Sequence, residues 1–360
     1  MINNLPRPSA NQEEYRRIFE AGMRRFPDRK LNYDKYLAAL ENRPGLTVDY
    51  MPVKMDYEVS SICNFRCEMC LMSEIAGNNR KQMGCDDFRK SLDEQYGLVE
   101  VKLQGVGEPL LNPDFFKMVH EAVNRDIWVR TTTNGSLLHL DENYKKMIDE
   151  RIGEIQISID GATKQVFEKI RRGSDFDRVV ENVSVLNRYA ISKGEQWRSS
   201  CWMLVQEDNF HEMWAVLDLA EKMGFSRMVY SLAVGSWGKE NWDKINAPKD
   251  MRSEFTYEDG LNLIEEGRKK GISVSFWIGN EKYCWDEDGK YLCQWLWSRA
   301  FITGNMRIAP CCVICDADTC DLGDALNFSD EFNSNKYQEL RSQHLACNIP
   351  AMCHNCYSMN

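Results

Sequence analysis

Cys63-Asn64-Phe65-Arg66-Cys67-Glu68-Met69-Cys70 sets three thiols at CxxxCxxC spacing within one short run. β-rich residues near 56–61 precede it, so a single loop at a strand end can gather three soft thiolates around one iron–sulfur cluster. Three ligands leave one iron open. A cubane held by four cysteines only passes electrons, whereas an open iron can bind and activate a further molecule, as a three-ligand catalytic zinc does. The loop points to an enzyme; the competing reading of the same residues is a zinc knuckle on Cys67-x-x-Cys70.

Outward from this loop, β-rich runs near 56–61, 99–104, 127–132, 154–159, 198–205 and 227–233 alternate with helical patterns. The helices are Pro113 to Asn124, Lys164 to Ile170 continuing at Asp175 to Lys193, and His211 to Met223. Such βα alternation predicts a parallel sheet of six units. A further run, Ile272-Ser273-Val274-Ser275-Phe276-Trp277, leads toward the tail. Three polar motifs each follow a strand: Gly105-Val106-Gly107-Glu108-Pro109, Thr133-Asn134-Gly135 and Ser158-Ile159-Asp160-Gly161. In βα barrels the carboxyl ends of the strands carry the chemistry. Residues 11–42 read as two amphipathic helices broken near Pro27-Asp28, and Gly235 to Asp259 is long enough to be a lid or substrate loop.

With 360 residues the chain can bury a large core. Its formal charge of -10 argues against a nucleic-acid partner, and no run approaches the apolar length of a membrane span. Fourteen cysteines without a signal peptide are better read as metal ligands in a reducing, cytoplasmic setting than as a disulfide framework.

The CxxxCxxC loop followed by a Gly-x-Gly-Glu-Pro turn resembles the radical S-adenosylmethionine (radical SAM) enzymes, and the cysteine-bearing tail from Cys293 to Cys356 resembles a SPASM or twitch extension. The resemblance implies an α/β fold: an N-terminal helical extension (1–50), a partial (β/α)6 TIM-like barrel (51–285), and a small auxiliary-cluster domain (286–360). It implies a 4Fe-4S cluster on Cys63, Cys67 and Cys70 that binds S-adenosylmethionine, with Met69 where the family usually has an aromatic residue. Gly105, Gly107 and Glu108 would receive the methionine amino group, through backbone carbonyls and the Glu108 carboxylate. Gln104 and Ser158 would face the cosubstrate, and Arg171 or Arg172 would pair its carboxylate. Asn134 is balanced between a ribose contact and an Asn-Gly turn, and Asp160 between the site and a turn that caps the next helix.

In the tail, Cys293, Cys311, Cys353 and Cys356 map to an auxiliary 4Fe-4S cluster, with Cys312 an alternative to Cys311; structural zinc is the competing reading. Cys312, Cys315, Cys320 and Cys347 remain for a second site. Cys85, Cys201 and Cys284 read as buried small hydrophobes, His354 as exposed, and the aromatic stretch Trp285 to Trp297 as core.

The implied activity is reductive cleavage of S-adenosylmethionine to a 5'-deoxyadenosyl radical, followed by oxidation or epimerisation of a small polar substrate such as a sugar, aminocyclitol or nucleoside. The partners are that substrate and a flavodoxin- or ferredoxin-type reductant. Pocket candidates are Gln104, Tyr230, Ser231, Trp237 and Asp316 or Asp318. The alternatives are a ribosomal-peptide maturase (thioether formation, Cα oxidation or epimerisation) and, from another class, a non-catalytic iron–sulfur or zinc protein. The first fifty residues are too few for the recognition domain that many peptide-modifying relatives carry.

Overall fold

The strands Lys54-Met55-Asp56-Tyr57-Glu58, Glu100-Val101-Lys102-Leu103-Gln104 and Glu154-Ile155-Gln156-Ile157-Ser158 alternate polar and apolar residues, so each must turn one face to helices and the other elsewhere. In the computed structural model, which describes residues 2–73, 81–279, 282–284 and 291–357, the apolar set Met55, Tyr57, Val101, Leu103, Ile155 and Ile157 is fully buried. The polar set other than Glu58, whose carboxylate accepts from Gly304 N, lines an inner cavity of about 700 Å³. A polar concave face is costly to bury as core, and marks the interior as a site.

Seven parallel strands build this face: β1 (Lys54–Glu58), β2 (Glu100–Gln104), β3 (Trp128–Thr133), β4 (Glu154–Ser158), β5 (Ser199–Leu204), β6 (Arg227–Ser231) and β7 (Ser273–Trp277). Helices between them, such as Phe115–Val123 and Phe176–Ser192, cover the outer face. The run at 272–277, expected to lead into the tail, is instead β7, a seventh barrel strand paired in register with β6 from Arg227↔Ser273 to Ser231↔Trp277. After it, β8 (Lys282–Cys284) and β9 (Tyr291–Cys293) form an antiparallel pair. Next, β10 (Arg299–Ile302) joins β1 in parallel, and β11 (Arg307–Ala309) and β12 (Gly323–Asp324) extend the sheet antiparallel beyond it. The sheet is therefore an open, partial barrel, with the tail continuing it on the β1 side. The expected division at 285/286 lies outside the described residues, as do Trp285 and the side chain of Cys284.

The N-terminal helices are α1 (Gln12–Arg25) and α2 (Pro27–Leu40), separated at Phe26 where Pro27 starts the second. Before them, residues 5–10 form a strap: Phe276 N donates to Pro6 O at 2.8 Å and Arg7 reaches Gly279 O at 3.0 Å. Arg7, Pro8, Ser9, Ala10 and Tyr15 line the cavity, Arg7 beside the carboxyl end of β7 and Tyr15 against Trp128 at the start of β3. The Gly235–Asp259 connection, expected as a lid or substrate loop, packs on the cysteine loop, and its Gly235 and Trp237 line the cavity. Trp237 Nε1 and Asn246 Nδ2 both donate to Met69 O (3.0 and 3.2 Å), and Lys239 pairs with Asp316 at 2.7 Å. Among the described residues no helix is long and apolar enough to cross a membrane.

Candidate active site

The cysteine loop leaves β1 and is clamped from three sides. Gly107 N and Glu108 N donate to Ser60 O and Ile62 O (3.1 and 2.8 Å), Arg66 N donates to Arg172 O at 2.8 Å, and Asn134 Nδ2 reaches Asn64 Oδ1 at 2.9 Å. The glycines of the turn are dictated by these approaches. A Cβ on Gly107 would lie 2.3 Å from Ser60 O and 2.4 Å from Ile62 O, and Gly105 has φ +136° against the Glu58 side chain.

Glu108 is buried, and its carboxylate accepts from Thr133 Oγ1 (2.7 Å), Asn134 N (2.8 Å) and Leu110 N (3.2 Å). Both oxygens are thus engaged by the protein, and Glu108 staples the turn to the end of β3. Asn134 is likewise a brace: its carbonyl accepts from Ser136 N and Oγ (2.9 and 2.6 Å), and it does not line the cavity.

Burial pushes the Cys63 thiol up to about 11 and the Cys70 thiol up to about 12, and raises Cys67 as well. These three free thiols are protonated at neutral pH until a metal displaces the protons. Cys67 lies close enough to act on both Cys63 and Cys70, so the loop keeps the three thiols as neighbours.

Of the two candidate arginines, Arg171 faces the cavity and Arg172 does not. Arg171 is 9% exposed and lies 2.7 Å from the fully buried Asp160, whose other oxygen accepts from Leu204 N at 2.8 Å. Arg172 is exposed and pairs with Glu68 of the cysteine loop. Asp160 is not the cap of the following helix: Thr163 is, its hydroxyl accepting from Val166 N. Gln104, Gly105, Ser158, Ser231 and Trp237 line the same cavity as Arg171. Three other pocket candidates do not: Tyr230 is buried outward with its hydroxyl on Met213 O at 2.8 Å, Asp316 holds Lys239, and Asp318 lies off the lining.

Sequence reasoning missed much of the lining, including Asp56, Lys102, Arg130, Glu154 and Arg299. The available signal was strand alternation: charged residues that alternate with helix-facing apolar ones must point into the barrel.

The tail brings its expected four thiols together. Burial and then the neighbours Cys312, Cys356 and Cys293 raise Cys311, and burial with Cys293, Cys356 and Cys320 raises Cys353. Tyr357, directly after Cys356, accepts from Cys293 N at 3.0 Å and meets His344 Nδ1 at 3.0 Å. The remaining four do not assemble a second site. Cys312 and Cys315 line the barrel cavity, Cys320 lies toward Cys353, and Cys347 is exposed. Cys85 and Cys201 are buried and His354 is exposed, as the sequence suggests.

Comparison with known proteins agrees with this geometry. Residues 57–220 match the family model of the radical SAM superfamily. Mycofactocin maturase MftC of Mycolicibacterium smegmatis is 23% identical over 206 residues, covering 57% of this chain and 50% of that protein. GTP 3',8-cyclase of Aliarcobacter butzleri is 32% identical over 158 residues, covering 41% of this chain and 45% of that one. The chain therefore spans about half the length of these relatives. The structure of Streptococcus suis SuiB bound to precursor peptide SuiA superposes with TM-score 0.60 at 14% identity, over 81% of this chain and 67% of that chain, a likeness of fold.

Proposed function

We propose, from the premise that the chain belongs through residues 57–220 to the radical SAM superfamily, that it is an enzyme which abstracts hydrogen from a small polar substrate held inside the barrel. A 4Fe-4S cluster on Cys63, Cys67 and Cys70, with S-adenosylmethionine on its open iron, supplies the one-electron cleavage that yields methionine and a 5'-deoxyadenosyl radical. This chain's residues supply the rest. The carbonyls of the Gly105–Pro109 turn accept from the cosubstrate's amino group, Arg171 pairs its carboxylate, and Gln104 and Ser158 orient it against the cavity. Gln104 Oε1 is a buried acceptor with no hydrogen-bond partner among the described residues, which suits a ligand donor there.

The observation that carries the substrate reading is the shape of the cavity. It is lined by Met69 and Gly105 beside the cysteine loop, by polar strand residues along its length, by Tyr15 and Trp128 at the amino ends of the strands, and by the chain's own strap along the β7 edge. Such a compartment suits a compact polar molecule, entering from the loop side. Cys293, Cys311, Cys353 and Cys356 suit an auxiliary 4Fe-4S cluster, which supplies an electron acceptor for oxidation of a substrate radical. The reading divides the chain into a helical extension and strap (1–50), the barrel (51–285) and the auxiliary segment (286–360), served by a flavodoxin- or ferredoxin-type reductant.

A peptide maturase is the second reading, favoured by the similarity to a mycofactocin maturase. Reconstituted protein incubated anaerobically with dithionite, S-adenosylmethionine and deuterated candidates separates the two. Deuterium in 5'-deoxyadenosine from a sugar, aminocyclitol or nucleoside supports the first, and deuterium only from peptides overturns it.

A further inference from the structure

The chain carries a net charge of -10, yet its cavity is lined by six cations and four carboxylates. Most of these charges are paired. Lys54 holds Glu100 at 2.9 Å, Arg130 bridges Glu100 (3.1 Å) and Glu154 (2.9 Å), and Arg171 holds Asp160 at 2.7 Å. At the β7 edge Arg7 is fixed on Gly279 O at 3.0 Å. Lys102 and Arg299 are left, and among the described residues neither has a side-chain hydrogen bond or an ion pair within 4 Å.

The sheet places these two on either side of β1, Lys102 level with Asp56 and Arg299 one inward-facing step lower, level with Lys54 and Glu100. Lys102 on β2 pairs with Asp56 on β1, and Asp56 also pairs with Phe301 on β10, two residues after Arg299. With neighbouring strands about 4.8 Å apart, the two long side chains approach Asp56 from opposite sides. Both act on Asp56 and on the cavity-lining thiol Cys312. Burial works against the charged forms of both Asp56 and Lys102, and Arg299 acts on Asp56 and Glu100 only from beyond ion-pair distance, so neither cation is fully neutralised by its neighbours. The guanidinium of Arg299 is instead 5.5 Å from the centre of the Trp295 ring, which steadies its plane. Buried cations without full partners are costly, and a ligand anion would offset that cost.

We infer that Lys102 and Arg299 form a subsite for an anionic group of the substrate, a carboxylate or a phosphate. A planar fork and a point charge together suit either group. Lys102 lies one inward-facing step below Gln104, about 7 Å along β2, and Arg299 one further step toward the amino end. A small molecule with its anionic end there presents carbon toward the cosubstrate. The assignment rests on the small-substrate reading above and adds its charge.

The test is anaerobic equilibrium binding of inorganic pyrophosphate and of malonate to the iron-loaded protein, for wild type, Lys102→Gln and Arg299→Gln, with folding checked by thermal melting. At least one anion is expected to bind, to raise the wild-type melting temperature, and to weaken about tenfold or more in each variant. Preference for pyrophosphate identifies a phosphate, and preference for malonate a carboxylate. Should a Gln variant fail to fold, Arg299→Lys keeps the charge and loses the fork, and the same weakening is expected in it. Absence of binding by both anions, or binding that survives both substitutions unchanged, overturns the subsite. Release of 5'-deoxyadenosine by the wild type is measured separately, so failure of the subsite is distinguishable from failure of the radical reading.

Discussion

At Gly107 a single added methyl group would meet two backbone oxygens of the cysteine loop, and neither can give without moving a cysteine. Gly107→Ala is therefore expected to cost about 1–3 kcal/mol by overpacking and to lower bound iron, read by denaturant unfolding and iron content. The adjacent arginines make a second comparison. Arg171→Ala strands the fully buried Asp160 without its cation and is expected to cost about 3–5 kcal/mol. Arg172→Ala breaks an exposed pair and is expected to cost about 0–1 kcal/mol. Equal losses in the two variants would contradict the placement. The sequence shows both arginines but not which one turns inward, because that is decided where the helix Lys164–Ile170 ends and Arg171 leaves helical geometry. Glu108 is legible as a site residue but not as a brace, since its partners Thr133 and Asn134 come from another strand end.

Local elements were readable where local chemistry fixes them: six strands with a motif after each of several, and a helix break at Pro27. What escaped were pairings between distant segments. Met55 pairs with Ala300, and Phe276 N bonds Pro6 O, and no local pattern encodes either partner. The strap contributes through few contacts, so Arg7→Ala, which removes the bond to Gly279 O, is expected to cost about 0.5–1.5 kcal/mol in denaturant unfolding. In the tail helix Asn335–Leu345, burial holds His344 neutral, down to about 4 from its ordinary 6.5, with Tyr357 on its Nδ1. Between pH 6.5 and 4 the unfolded chain takes up a proton that the folded chain refuses. Stability is therefore expected to fall as pH drops through that window, by about 3 kcal/mol in all. Melting curves of wild type and His344→Gln over that range check it, and identical pH slopes would contradict it.

Across the whole molecule, one organisation links the parts: apolar strand faces pack on helices, charged faces line a cavity, and the motif loops gather at its mouth. Loop chemistry was legible because reactive residue types are conspicuous at strand ends. The inner face was less so, because a charged residue in a strand reads equally as solvent-facing until the sheet is seen to curl. The tail's four thiols were singled out by resemblance to a SPASM or twitch extension, while the insertion of Cys312 and Cys315 into the barrel cavity depends on how the tail joins β1. The account stands on the open-iron chemistry of the cysteine loop. The most direct measurement compares 5'-deoxyadenosine release, under dithionite and S-adenosylmethionine, by iron-loaded wild type and by the triple variant Cys63→Ala, Cys67→Ala, Cys70→Ala. The wild type is expected to release it and the triple variant to release none while keeping the iron of its tail; release by both, or by neither when fully loaded, would contradict the account.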